Sequence, residues 1–554
     1  MTLNFFTDNQ DLLFHFANLD LEDVIRLREK DFTEVGIGGA ADSDSAKRMY
    51  REKMDVIGVL AAENIAPRAA QVDWDGCRCV DHKVVLAEGI KQNLQDIKDA
   101  GLTGITLPRC YGGLNFPTTI YSMMMEIVSR ADASLHNLFG LQSIAETVRQ
   151  FGSDEQKQAV LPKLASGEWD GAMALTEPEA GSDLQSVQTT ATLGEDGVWR
   201  LNGLKHFITN GMAKVLLVLA RSEEGTKDGR GLSMFLARAC PEIVVNRLER
   251  KMGIHGSPTC ELQFNNAPVE LVGKRKFGLI RYVMSLMNGA RLAIAAQAVG
   301  LEEATRKAAW DYCSQRTQFG KALSEIPQVH EMLTRMDALT AGSRTLLYET
   351  CKYVDLRDAW NDYANSHPDD REAAAKVKAF AKYADVLTPM VKAFNTESAN
   401  LCAYECIQCH GGKGYMMERP VERYYRDARI MNIYEGTTQM QVVAATSGIF
   451  KNSLDDIFAG LDGFGYSVEA AKRLEGVLAA RKTMLEAQAK LAEESDKMEL
   501  LSRRIVRGLT LVLVAQLMLR DASRDAGRLE LADRFIWEYI PEAEMQASIV
   551  LKSL

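Results

Sequence analysis

Between Glu168 and Val272 the apolar residues of this chain repeat at a different period from those on either side, and that change limits the folds open to it. From about residue 46 to 165, segments such as SAKRMYREKMDVIGVLAAENIA and HKVVLAEGIKQNLQDIKDAG place apolar residues three to four apart and end near Gly or Pro. Those are the marks of amphipathic helices. From about 168 to 272 short strands are predicted, separated by the turn signals Asn202-Gly203 and Asn210-Gly211. CELQFN alternates Cys260, Leu262 and Phe264 with Glu261 and Gln263, a half-buried strand, whereas KVLLVLAR and GLSMFLARA read as more deeply buried ones. After about residue 278 helices return. MNGARLAIAAQAVGLEEATRKAAWDYCSQR contains no proline, and DLRDAWNDYANSHPDDREAAAK predicts a solvated helix end and a loop around Pro368. Beyond Phe450, Leu474, Val477, Leu478, Met484, Leu485 and Leu491 keep a helical rhythm.

A chain of 554 residues exceeds what one core sustains, so several folding units are expected. The expected class is mostly α with a central β domain. An N-terminal extension (1–45) leads to a helical domain (46–167), a middle β-barrel or sandwich domain (168–275), a C-terminal helical bundle (276–450) and an appended helical domain (451–554). The net charge of −10 disfavours nucleic acid and anionic membranes as partners. The start MTLNFFTDNQ has no basic, apolar leader pattern, and GLTLVLVAQLML is too short to span a bilayer, so a soluble, cytoplasmic protein is expected. Ten scattered cysteines predict reduced thiols. Cys402, Cys406 and Cys409 have a spacing found around iron–sulfur clusters, but the same spacing lines one face of a helix that ends at Gly411-Gly412. The helix face is the preferred reading, and no metal is expected.

RIMNIYEGTTQMQVVAAT, Arg429 to Thr446, carries one charge after its first residue, Glu435, among apparent core residues such as Ile430, Ile433, Tyr434, Met440 and Val442. An unpaired carboxylate in low dielectric costs several kcal/mol or takes up a proton. Such a Glu is paired, favours a helix N-terminus, or has chemistry to do. Three further segments are candidates for ligand contact. ALTEPEAGSD (Ala174 to Asp183) allows close backbone approach to a phosphate or flavin edge, or is simply a loop. In RTQFGKALSEIPQ (Arg316 to Gln328), Arg316 with Phe319-Gly320 suits an anionic ligand beside an aromatic ring, or a solvated charge. QCHGGKGY (Gln408 to Tyr415) has glycines that open the backbone. No G-x-G-x-x-G follows a predicted strand, which argues against a Rossmann nucleotide site.

In this order and layout, TEPEAGSD, KHFITNG, RTQFG, QCHGGKGY and IYEGTTQ make the chain resemble the acyl-CoA dehydrogenase family of flavoproteins over residues 46–450. The resemblance implies FAD as cofactor, an acyl-CoA substrate, a trans-2-enoyl-CoA product and electron-transferring flavoprotein as electron acceptor. It implies Glu435 as the base that removes the α-proton while hydride passes from the β carbon to flavin N5. Gly436 turns the backbone so that the carboxylate faces the substrate. The backbone N–H of Glu435 and a ribityl hydroxyl polarise the thioester carbonyl. Leu175, Thr176 and Ser182 match cofactor contacts, Ser182 lying near the thioester as well. Phe207 and Thr209 match positions along the flavin ring. Arg316, Phe319, Gln328, Gln408 and Gly412 match contacts to FAD across a subunit interface, and Thr437 and Gln439 match contacts just after the base. Arg291 matches a position associated with acyl-CoA. Some family members carry the base on the helix matched by NGARLAIAA, but Asn288, Gly289 and Ala290 offer no carboxylate there. Residues 451–554 resemble the extra region of longer members, including the methylthiopropionyl-CoA dehydrogenase type, which tend to homodimers. Lys274, Arg275 and Lys276 are either CoA-phosphate contacts or a solvated charge run. The alternatives are an acyl-CoA oxidase using dioxygen, a non-catalytic binding or assembly protein on the same fold, and a nitroalkane-oxidising relative, disfavoured because that chemistry goes with Asp at the base position.

Overall fold

The computed structural model describes residues 2–554 and divides into two compact units: the chain up to Asn9 with Arg28–Ala293, and Gln10–Leu27 with Ile294–Leu554. Two short helices come first, α1 (Gln10–Ala17) and α2 (Glu22–Arg28).

In the first unit, seven helices precede the β region: α3 (Ser43–Leu60), α4 (Ala66–Asp75), α5 (Glu88–Asp99), α6 (Thr118–Ala131), α7 (Ala133–Gly140), α8 (Ile144–Phe151) and α9 (Asp154–Ala165). Asp42 and Ser153 cap α3 and α9 in reciprocal capping boxes with Ser45 and Gln156, which fixes where those helices start. The helical reading of HKVVLAEGIKQ fails at its beginning. β1 (Arg78–Val80) and β2 (Lys83–Val85) form a hairpin, and α5 starts only at Glu88. Asp81 and His82 take positive φ (48° and 62°) at the turn, and the β-branched Val84 and Val85 favour a strand over a helix.

The β domain consists of β3 (Gly171–Ala174), β4 (Thr190–Leu193), β5 (Trp199–Thr209), β6 (Val215–Arg221), β7 (Leu232–Arg238), β8 (Ile243–Leu248) and β9 (Thr259–Val272). Pairings run β6–β4–β5–β9–β7 and return from β7 to β6, closing a small barrel, with β3 added on β6 and β8 on β9. Strand β6 is a continuous apolar run because both its faces are covered. Val215, Leu217 and Leu219 pack with Ile144, Val160 and Leu161 of the helices, while Leu216, Val218 and Ala220 join Leu201, Phe235, Leu262 and Phe264 on the other face. Asn202-Gly203 is not a turn. It lies inside β5 at a register shift against β9, where Gly203 has φ 150°, so the signal marks a bulge. Asn210 (φ 56°) does turn the chain between β5 and β6. Glu261, expected on a polar face, is 9% exposed, since Arg247 from β8 and His206 from β5 cover it. The basic run is engaged locally: Arg275 and Lys276 lie 2.9 and 3.6 Å from Glu223.

The second unit is helical apart from the small hairpin of β10 (Thr317–Gln318) and β11 (Lys321–Ala322). Helix α10 (Met284–Gln315) runs into it from the first unit. There follow α11 (Pro327–Ser366), α12 (Arg371–His410), α13 (Val421–Met431), α14 (Thr438–Ile449), α15 (Asp455–Asp462), α16 (Val468–Ala492), α17 (Ser495–Arg524) and α18 (Leu529–Ser553). Helices α11 and α12 flank the expected loop at Pro368 and pack along each other, and α13 and α14 lie on α12. Helices α16, α17 and α18 pack on one another, and α17 and α18 also lie on α11. Val477, Met484 and Leu491 are fully buried, whereas Leu485 is 36% exposed. All ten cysteines are free thiols. Cys402, Cys406 and Cys409 are buried on α12, with burial pushing the Cys406 thiol well up. A buried helix face accounts for their spacing. Among the described residues no helix is long and apolar enough to cross a membrane.

Gly342 of α11 is a point of close approach: a Cβ there would meet Val514 of α17 at 2.9 Å and Phe535 of α18 at 3.1 Å. Gly342→Val is expected to destabilise by about 1–3 kcal/mol through overpacking, read as a lower urea midpoint. No change in midpoint would mean that α17 and α18 yield at this seam.

His15 of α1 is buried, and burial lowers its imidazole to about 4 against the pull of Asp11 and Asp521. Arg528 and Arg344 also disfavour its protonation. A folded value below the unfolded one means that its contribution is fully present above the ordinary 6.5. It is lost as pH falls from 6.5 towards 4, because the unfolded chain then binds a proton the folded one refuses. The loss is on the order of 3 kcal/mol over that window. Urea midpoints at pH 7 and pH 5 should differ by less in His15→Gln than in the wild type; equal differences would rule out His15 as the source.

Candidate active site

Each unit presents its own set of the residues singled out in the sequence. In the first, the segment holding Leu175 and Thr176 is stitched to β5 by a buried ion pair. Lys205 Nζ, fully buried, donates to Glu177 Oε1 at 2.8 Å and to the Leu175 carbonyl at 2.9 Å. Glu177 also accepts from the amides of Gln188 (2.6 Å) and Thr189 (3.0 Å). Burial pulls the Lys205 ammonium down to about 8, with Glu177 opposing. The His206 amide donates to the Thr176 carbonyl at 2.9 Å. TEPEAGSD and KHFITNG thus form one rigid assembly. Ser182 is exposed on the loop just beyond, whose following turn is capped by Asp183 (Gln185 amide at 3.1 Å, Ser186 hydroxyl at 2.7 Å).

A second register shift falls between Lys205 and Ile208 of β5. There Phe207 has φ 59°, is 58% exposed, and stacks on the His206 ring at 3.9 Å. A non-glycine residue in the left-handed region, presenting an aromatic ring to solvent, is a strained feature of the kind that marks functional positions. Thr209 ends the strand, paired with Thr259. Beneath the stack His206 Nε2 lies 2.7 Å from Glu249 and 3.9 Å from Glu261. Arg247 supplies the positive charge these carboxylates need, 2.8 Å from Glu261 and 3.6 Å from Glu249. Arg291 on α10 is buried and donates to Asn288 Oδ1 at 3.2 Å.

In the second unit Glu435 and Gly436 are consecutive left-handed residues, φ 55° and 89°. The glycine was expected to make this turn; the conformation of Glu435 was not. A non-glycine residue there costs about 1–2 kcal/mol and persists only if its surroundings enforce it. They do. The buried Lys392 of α12 donates to the Gly436 carbonyl at 2.6 Å. Gln441 Nε2 donates to the same carbonyl at 2.8 Å and to that of Glu435 at 3.2 Å. Tyr434 donates its hydroxyl hydrogen bond to Gln297, and burial keeps its phenol far above the ordinary range, with the Glu435 charge adding to the effect. Thr437 caps α14, accepting from the Met440 amide at 3.4 Å. Glu435 is half-buried and Ile433 is 42% exposed, so within the single chain this segment is less enclosed than its composition suggests, although Met431, Val442 and Ala445 are core.

Arg316, Phe319, Gln328, Gln408, Gly412 and Gln439 are exposed. Phe319 and Gly320 (φ 52° and 74°) form the two-residue turn between β10 and β11, with Phe319 95% exposed. A cavity of about 320 Å³ is lined by Arg316, Arg419, Tyr312 and His410, the last two rings stacked at 4.3 Å. A Cβ on Gly412 would meet nothing within 4 Å, so its backbone is open to a ligand. Sequence reasoning missed Lys392, Gln297, Gln441, Lys205 and this ring pair. One signal for the first was present, a lone lysine in the apolar run LTPMVKAF.

Models of the N-terminal, middle and C-terminal domains of acyl-CoA dehydrogenases match residues 48–168, 172–267 and 280–446. A 3-methylmercaptopropionyl-CoA dehydrogenase of Ruegeria pomeroyi is 36% identical over 424 residues, 71% of this chain and 69% of the relative. The chain belongs to the acyl-CoA dehydrogenase family. It is an oxidoreductase, and the expected class (mostly helical with a central β domain and extra C-terminal helices) is borne out. An acyl-CoA dehydrogenase from Bacillus anthracis, solved in complex with FAD, superposes with a TM-score of 0.77 at 25% identity, covering 92% of this chain and 88% of its own. A structure described as the electron transferring flavoprotein of Acidaminococcus fermentans gives 0.62 at 29%, covering 72% of this chain and 97% of its own. The larger coverage of the first reaches into the appended helices of this acyl-CoA dehydrogenase family member.

Proposed function

We propose that this protein is an FAD-dependent acyl-CoA dehydrogenase that converts an acyl-CoA thioester to the trans-2-enoyl-CoA, with Glu435 as base and electron-transferring flavoprotein as acceptor. The observation that carries the reading is the base loop. The left-handed turn at Glu435 and Gly436 is held by two side chains, Lys392 and Gln441, through hydrogen bonds to the carbonyls of Glu435 and Gly436, which fixes the backbone that carries the carboxylate. The α-proton of a thioester is weakly acidic and needs a positioned base. As the α C–H bond breaks, its proton goes to Glu435.

The residues present fit FAD. Its diphosphate calls for cationic groups and open backbone, offered by Arg316, Arg419 and Gly412; its planar rings call for aromatic surface, offered by the exposed Phe207 and by the stacked Tyr312–His410 pair that lines the cavity. Leu175, Thr176, Ser182, Phe207, Thr209, Thr437 and Gln439 would hold it, joined by Arg316, Phe319, Gln328, Gln408 and Gly412 from a second copy, making a homodimer. The near-complete exposure of Phe319 supports that sharing. When bound, FAD supplies the acceptor for the hydride leaving the β carbon. Ser182, Arg291 and Gly436 would contact the substrate.

The FAD-loaded protein is expected to make enoyl-CoA from at least one thioester in a panel that includes 3-methylmercaptopropionyl-CoA, with electron-transferring flavoprotein sustaining turnover and little peroxide formed. Stoichiometric peroxide in air would favour the oxidase reading, and failure to retain FAD would revive the non-catalytic one.

A further inference from the structure

A cavity of about 610 Å³ lies in the second unit, walled by α11, α12 and α14 on one side and by α17 and α18 on the other. Its volume is that of a small-molecule site. Phe394, Leu401 and Val442 give it an apolar wall, and α17 places Arg503, Arg504 and Arg507 along another. Only one of these arginines is neutralised: Arg507 forms a two-pronged pair with Glu542 at 2.9 and 3.0 Å. Arg504 donates to the uncharged Gln546 at 2.9 Å, and Arg503 is exposed with no carboxylate partner among the described residues. Tyr539, 5% exposed, lines the cavity with a buried hydroxyl that makes no hydrogen bond. An unsatisfied buried hydroxyl costs about 1–3 kcal/mol, so a ligand oxygen there would repair a defect. None of the residues implied for FAD or for acyl-CoA lines the cavity.

We propose that this cavity is a second binding site, for an amphipathic anion whose apolar chain lies against Phe394, Leu401 and Val442, with a carboxylate or phosphate head on Arg503 and Arg504 and a hydrogen bond from Tyr539. Its position ties it to the base loop. Glu397, also in the wall, accepts from Thr438 Oγ1 at 2.6 Å and from Asn432 Nδ2 at 3.3 Å, and those two residues bracket Glu435. An occupant therefore touches the clamp that closes the loop.

The test is isothermal titration of the full-length, FAD-loaded protein with decanoate, with decyl phosphate, and with decyltrimethylammonium as the charge control. At least one anion is expected to bind once per chain while the cation does not. The Arg503→Glu/Arg504→Glu double variant, changed at accessible positions, should bind that anion at least about tenfold more weakly, roughly 1.4 kcal/mol, and Tyr539→Phe should weaken it in the same direction. Decanoate alone binding identifies a carboxylate ligand; decyl phosphate alone identifies a phosphate monoester. Binding of neither anion, or equal binding by the double variant, overturns the proposal. None of these readouts uses catalysis, so the outcome is independent of the role of Glu435.

Discussion

Glu435→Gln is expected to keep its FAD and to lose turnover by about 10²–10⁴-fold, the range associated with removing a general base. The amide has nearly the size of the carboxylate, and the groups that hold the loop act on backbone carbonyls, so Lys392 and Gln441 keep their partners in the variant. Thioester binding should change little, because the loss falls on the step in which the proton moves. Steady-state assay with an artificial electron acceptor, together with the FAD absorbance of the purified variant, reads both quantities. Turnover within a few-fold of wild type would remove Glu435 from the mechanism. Lost FAD together with lost turnover would instead assign the residue to the architecture of the loop.

Arg344→Met is expected to cost about 3–5 kcal/mol of stability, the range for breaking a buried ion pair from one side. Arg344 of α11 is 1% exposed and pairs with Asp11 of α1 and with Glu303 of α10, the latter at 3.1 Å. Arg528 also pairs with Asp11. Burial by itself would raise the Asp11 carboxyl, but the two arginines outweigh it and hold it well below the ordinary carboxylate range. Methionine fills much of the volume and leaves Glu303 and Asp11 undercompensated in low dielectric. The loss should appear in the urea midpoint of the second unit and be smaller below pH 5, where protonation relieves carboxylates left with only Arg528 and Arg306 beside them. A loss under about 1 kcal/mol would place this cluster among pairs whose desolvation cancels their attraction.

The sequence carried most of the architecture because period is a local property. The alternation around Leu262, the unbroken run of β6 and the proline-free length of α10 each report the environment of a single element. Local signals failed where two structures share one signature. Asn-Gly marks a turn at Asn210 but a bulge at Asn202, because β9 continues past the latter. Val84 and Val85 sit in a stretch with helical spacing on both sides, and their β-branching and the turn at Asp81-His82 are the local signs of the hairpin. Of the site, the motif residues were legible and their supports were not. Lys392 reaches Gly436 across 44 positions, and Arg344 reaches Asp11 across 333. No periodicity encodes contacts so far apart in the chain. The left-handed backbone at Glu435 was hidden by Gly436, which seemed to account for the whole turn. The cavity beside α17 depends on how α17 and α18 of the appended region lie against α11, α12 and α14, a matter of packing that composition does not record.

The most direct test of the account is anaerobic mixing of the yellow, FAD-loaded protein with a panel of acyl-CoA thioesters, wild type beside Glu435→Gln. The account predicts that at least one thioester bleaches the flavin of the wild type and that the Gln variant, equally yellow, bleaches slower by about two orders of magnitude or more. Equal bleaching rates in the two proteins would contradict it.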